Sequence, residues 1–149
     1  MYKKVLFLMS IVFVLSIVAT SAADFIGGLR NVKGTGLVIR DQEEIAAKDG
    51  LRIHKGDRLK TGKDGAMGVI FSDNTRVSIG PDSEISIDDY VFYPDKGALS
   101  FMIKMAKGTA SYFSGSIARL ARQSVKFKTP TAIVGIRGTH FLVKVEGEK

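Results

Sequence analysis

Apolar side chains fall on alternate positions through most of this chain, and turn chemistry cuts the alternation every eight to twelve residues. Met67, Val69 and Phe71 share one parity, as do Val77 and Ile79, Ile85 and Ile87, and Leu99, Phe101, Ile103 and Met105. Successive side chains of a strand point to opposite faces, so this pattern describes strands with one face in a core. Ser72-Asp73-Asn74, Gly80-Pro81-Asp82 and Pro94-Asp95-Lys96-Gly97 supply the residues that tolerate tight turns. Regular short strands of this kind predict an all-β domain. Strands are expected over 36–40, 57–60, 66–71, 75–79, 84–88, 90–93, 99–105, 108–113, 125–128 and 140–145, the last with Phe141, Val143 and Val145 on one face. Residues 41–51 read as a turn of helix or a hairpin excursion, and 114–123 as a short helix or wide loop. Residues 132–136 read as apolar and buried. Two architectures fit, a compact, irregular β-solenoid-like stack or a small sandwich or barrel of short strands, and strands this brief, each followed by a polar turn, favour the stack.

The N-terminus carries a different signal. Lys3 and Lys4 precede an uncharged apolar run from Val5 to about Ala19, and Ser21-Ala22-Ala23 follows. This order is that of a secretory signal peptide, 1–23, forming a signal helix. An uncleaved membrane anchor is the alternative. Export would place residues 24–149 in the periplasm or outside the cell. Residues 24–33 read as a looped lead-in with Gly27 and Gly28, and 34–146 as one β domain. The chain has no cysteine, so neither a disulfide nor a thiolate zinc site supports it.

Charge is unevenly placed. From Asp24 to Asp95 acids outnumber bases 13 to 10, whereas from Lys96 to Lys149 bases outnumber acids 10 to 2. Lys104, Lys107, Arg119, Arg122, Lys126 and Lys128 therefore form a candidate surface for an anionic partner, such as a phospholipid head, an envelope polymer or an acidic protein. Nucleic acid is not expected outside the cytoplasm. The alternative is a basic protein kept dispersed by its charge.

Candidate chemistry is sparse. His54 and His140 have no ligand-spaced neighbours, and both are read as structural, His54 in an exposed turn. Lys60-Thr61-Gly62 and Ser72-Asp73-Asn74 match two signatures of penicillin-binding enzymes, but no Ser-x-x-Lys nucleophile accompanies them and their order is reversed. Both are turn chemistry. Composition leaves a Ser–His–acid set open, yet no Gly-x-Ser-x-Gly elbow supports one. Asp88-Asp89 lack the spacing of a calcium loop. Tyr90, Phe92, Tyr93, Phe101, Tyr112 and Phe113 suit core and rim packing better than a ligand platform. No cofactor or metal is expected.

An ordered set of residues resembles the FecR domain of bacterial envelopes over residues 34–146. It comprises Gly56-Asp57, Thr61-Gly62, Ala66, Phe71, Asp73 with Thr75, Gly80-Pro81, Ser83 and Gly108. It ends in Val125, Phe127, Thr129-Pro130, Ala132, Val134, Arg137-Gly138-Thr139 and Phe141. Asn74 replaces a usual turn glycine. The resemblance implies an extracytoplasmic β-rich, solenoid-like module that meets another protein or ligand. Arg137-Gly138-Thr139 is expected to act as a structural clamp. The expected function is a non-catalytic binding or scaffold module, with a sensor of another envelope protein as the alternative and a wall-active hydrolase as the least favoured. Unpaired outer strands would allow edge-to-edge dimers.

Overall fold

A computed structural model describes residues 24–136 and 139–147. The signal-peptide expectation and the Arg137-Gly138 part of the clamp lie outside the described residues.

The described residues form twelve strands and one short α-helix: β1 Phe25–Lys33, β2 Gly36–Arg40, β3 Glu43–Ala46, β4 Arg52–His54, β5 Arg58–Thr61, β6 Ala66–Phe71, β7 Arg76–Ile79, β8 Glu84–Tyr93, β9 Ala98–Phe113, α1 Ser116–Leu120, β10 Val125–Lys128, β11 Ile133–Gly135 and β12 His140–Val145. All the strands join one sheet, whose main path runs β3-β2-β5-β8-β9-β7-β6-β1-β4. Every pairing is antiparallel except that of β9 with β10. The all-β expectation holds. The architecture is an open sheet curled over its own core, nearer the sandwich reading than the stacked parallel turns of a solenoid.

β9 makes the curl. Its first part pairs with β8 and β10, and its last six residues pair with β7 and β12. Phe101, Ile103 and Met105 point inward from the first part, Ala110 and Tyr112 from the second. The inward parity therefore changes between residues 105 and 110, and Gly108 sits in that interval at φ +97°. A side chain there would overlap Ser83, so glycine is the residue that lets β9 serve both halves. The halves meet ring to ring. Phe71 of β6 stacks on Tyr90 of β8 at 5.5 Å and meets Phe101 edge-on at 4.7 Å. Phe127 of β10 meets Phe141 of β12 at 5.7 Å.

Three expectations are corrected. Residues 24–33 are not a loop: β1 lies between β4 and β6 with Ile26 and Leu29 buried. Residues 84–93 and 98–113 are two long strands rather than four short ones, each with a register irregularity where the alternation breaks. Within 132–136 only Ile136 is buried; Ile133 and Val134 lie exposed on edge strand β11. Residues 41–51 take the hairpin form, with Asp41 and Gln42 at positive φ between β2 and β3.

Candidate functional site

The residues of the ordered motif are spread over several turns, and five of its polar residues, Asp57, Thr61, Asp73, Thr75 and Ser83, are buried. Asp57 is fully buried. Its carboxylate accepts two hydrogen bonds from the Arg40 guanidinium, at 2.8 and 2.7 Å, and one from the His54 backbone N–H at 2.8 Å. A two-pronged guanidinium contact is among the stronger ion-pair geometries. The hydrogen bond to Asp57 raises the Arg40 pKa further, against an opposing effect of burial. Gly56, at φ +89°, donates its N–H to Ile87 O at 2.8 Å and closes the turn beside this pair. His54 is half-buried at the end of β4, not in an exposed turn.

Asp73 is a second buried hub. Its carboxylate accepts from the Thr75 N–H at 3.1 Å, the Thr75 hydroxyl at 2.7 Å, the Tyr90 hydroxyl at 3.2 Å and the Ile117 N–H at 3.1 Å. Its backbone carbonyl accepts from the Ser116 N–H at 2.8 Å. One carboxylate therefore holds the β6–β7 turn, the β8 tyrosine and the start of α1. Burial, with the Asp73 carboxylate nearby, pushes the Tyr90 phenol pKa up. Burial likewise raises that of Tyr112, whose hydroxyl is enclosed beside Thr75 and Ser114.

Hydroxyls do the same work at the other turns. Thr61 donates to Gly80 O at 2.7 Å and accepts from the Ser83 N–H at 2.9 Å. Gly62 links two loops, donating to Thr35 O and accepting from the Asp82 N–H, each at 2.9 Å. Ser83 accepts from the Thr109 N–H at 2.9 Å, next to Gly108. Thr129 closes the loop containing Pro130, since its hydroxyl accepts from the Ala132 N–H at 3.1 Å. Thr139 accepts a hydrogen bond from the Ser114 N–H through its carbonyl at 2.8 Å. Phe141 packs on Tyr112 at 5.0 Å.

The candidate basic residues do not form one patch. Parallel pairing sets Lys128 beside Lys104 and Lys126 beside Met102 on the outer face of the first half. Acids share that face: Ser86 of β8 pairs with Lys104, Glu84 and Asp88 lie close by, and Glu84 faces Arg58 at 3.6 Å. Lys107 is paired with Asp82 at 2.6 Å. This contact holds the Asp82 carboxyl below the usual carboxylate range. Arg119 donates to Ser116 Oγ at 3.1 Å. Arg122 lies with Lys126 and exposed Ile133 along a separate groove.

The other half carries a cationic surface that sequence reasoning did not single out. Cross-strand register aligns Arg52, Gly28, Ile70, Arg76, Phe113 and His140 in one row. The next row holds Arg30, Gly68, Ser78, Ser111 and Leu142. The signal was present, because β1, β4, β6, β7, β9 and β12 contain no Asp or Glu. Charge counted along the chain hid it, since these strands come from both the acidic and the basic stretches.

Ser111 Oγ lies 3.2 Å from His140 Nε2, and the His140 ring stacks on Phe113 at 4.0 Å. Among the described residues no carboxylate is hydrogen-bonded to that imidazole, and no group of three metal-ligating side chains is present. Among them, too, no helix is long and apolar enough to cross a membrane.

Comparison with curated proteins gives no match, and neither does comparison with solved structures. The family model described as FecR protein matches residues 57–149. With Asp57 and Asp73 each building a turn of the matched region and Gly108 setting the break within β9, the chain belongs to the FecR family, whose members are envelope-associated and take part in envelope signalling.

Proposed function

We propose that this is a non-catalytic, extracytoplasmic binding or scaffold module of the bacterial envelope, presenting a face of its sheet to a protein or anionic partner. One observation carries this reading. The motif's polar side chains Asp57, Asp73, Thr61 and Ser83 are buried and engaged by backbone or neighbouring side chains. They shape turns, and recognition is left to the outer faces. Residues 1–23 act as the export signal, so mature protein begins at Asp24; N-terminal sequencing of the cell-envelope fraction tests this.

The module itself is tested with a photocrosslinking residue at Phe113 on one face and at Lys104 on the other, in intact cells. Capture of a defined partner from one face and not the other is the expected result. Turnover of peptidoglycan by the purified domain would overturn the non-catalytic reading. Family membership favours a second reading, a sensor subunit that reports the state of another envelope protein. An adjacent sigma-factor or transporter gene, with transcription that changes when the domain is deleted, supports that version.

A further inference from the structure

We propose that the outer face of the half built from β4, β1, β6, β7, the end of β9 and β12 binds an acidic polysaccharide. The proposal rests on the binding-module reading and names the partner's chemistry.

Charge comes first. Arg30, Arg52 and Arg76 are exposed on this face. Among the described residues none of the three has a carboxylate within ion-pair distance, whereas Arg40, Lys55, Arg58 and Lys107 elsewhere each have one. The six strands that make the face contain no acidic residue. Guanidinium groups match carboxylates and phosphates through two parallel hydrogen bonds. Arg52 and Arg76 stand three strand spacings apart, ~14 Å at ~4.8 Å per strand. A single small anion does not bridge that distance, while a polymer with repeated anionic groups does.

Shape and chemistry then select among polymers. The backbones of β1, β6, β7 and β9 are paired on both sides here, so an extended peptide laid across the rows of arginines cannot be read by adding a strand there. A second copy would bring like charges together. Phe113 is 46% exposed and stacked with His140, which offers a flat apolar surface to the carbon-hydrogen face of a sugar ring. Between Arg30 and exposed Leu142, the small residues Gly68, Ser78 and Ser111 leave a low strip across the sheet, in which a ribbon of sugar rings can lie close to the strands with its acids over the arginines and its ring faces against Phe113, Ile70 and Leu142.

Polygalacturonate is the probe, with neutral dextran and poly-L-glutamate as comparisons, in affinity electrophoresis and titration calorimetry. The full chain is expected to bind polygalacturonate, to bind poly-L-glutamate more weakly and to ignore dextran. R30E/R76E should weaken binding by more than about tenfold, since two charge-assisted contacts are reversed. Phe113→Ala should weaken it several-fold, and K104E/K128E should stay within about twofold of wild type. Circular dichroism confirms that each exposed-site variant is folded. Absent polygalacturonate binding, equal binding of poly-L-glutamate, or an equal loss in K104E/K128E would overturn the proposal. The intact-cell crosslinks separate the two ideas: a protein captured from the Lys104 face without polysaccharide binding leaves the module and removes this inference.

Discussion

At the scale of single residues, the motif buries Asp57, Thr61, Asp73, Thr75 and Ser83, each held by hydrogen bonds. Asp57 shows what that means energetically. Its carboxylate is 1% exposed and the Arg40 side chain 29%. Removing the cation leaves a buried charge without its partner, which costs about 3–5 kcal/mol where both groups are fully enclosed. Solvent reaches Arg40, so we expect Arg40→Ala to cost about 2–3 kcal/mol in urea denaturation. Arg40→Lys keeps the charge but not the two-pronged geometry, and should recover only part of the loss. Equal stability of Arg40→Lys and wild type would mean that charge alone matters. At Asp73, substitution by Asn replaces one carboxylate oxygen with an amide that donates rather than accepts. The site offers donors from Thr75, Tyr90 and Ile117. Asp73→Asn should therefore lower stability by about 2 kcal/mol or more, and hydrogen exchange should show α1 loosening first, because Ile117 and Ser116 are tied to this residue.

At the scale of elements, β9 decides the fold, and Gly108 decides β9. Gly108 and Gly97 both have positive φ, but an added Cβ meets Ser83 at Gly108 and nothing within 4 Å at Gly97. Gly97→Ala should cost about 1 kcal/mol, the usual penalty of a left-handed alanine. Gly108→Ala should cost several times that or prevent folding, as read from thermal melts of the two variants. Similar melting temperatures would remove the special role given to Gly108. The same strand shows where sequence was informative. Alternation revealed the inward residues Phe101, Ile103, Met105, Val77, Ile79, Ile85 and Ile87, because a regular strand writes its buried face into every second position. It failed where the phase slips. β1 was unreadable because Ile26 and Leu29, three apart, are both buried around Gly27 and Gly28. β8 and β9 each looked like two strands because an irregularity shifts the inward parity midway. β11 looked buried because three apolar residues in a row say nothing about which side water reaches. The motif residues Asp57, Thr61, Asp73 and Gly108 were legible as a set, but their partners were not, since Arg40, Tyr90 and Ile117 are distant in sequence and brought in only by strand pairing and packing.

At the scale of the whole molecule, one aromatic seam joins the two halves, and its tyrosines couple the seam to pH. Phe71, Tyr90, Phe101 and Tyr112 lie in contact across the curl, and Tyr112 continues to Phe141. Burial raises the pKa of both Tyr90 and Tyr112 in the folded state. A raised phenol pKa means that the folded chain holds its protons more tightly than the unfolded chain. The resulting stability is fully present below about pH 10, the unfolded tyrosine value, and is lost as pH rises through the folded values. Each group then removes up to about 1.4 kcal/mol per pH unit. The acid side behaves oppositely and more weakly. The Asp89 carboxyl is held low by hydrogen bonds from Lys55 and Ser100, so its contribution is present at neutral pH and lost as pH falls through its folded value. That carboxylate is 32% exposed, and a solvated pair adds little. Stability should therefore fall more steeply above about pH 10 than below about pH 4 for the groups named here. In an alkaline titration, the tyrosinate absorbance of Tyr90 and Tyr112 should rise only together with loss of the β-sheet circular dichroism signal, and Tyr90→Phe should remove part of the alkaline slope. Ionisation of both phenols while the sheet signal stays intact would show that water reaches the seam in the folded protein, and that the two halves are held together by their shared strand rather than by the rings between them.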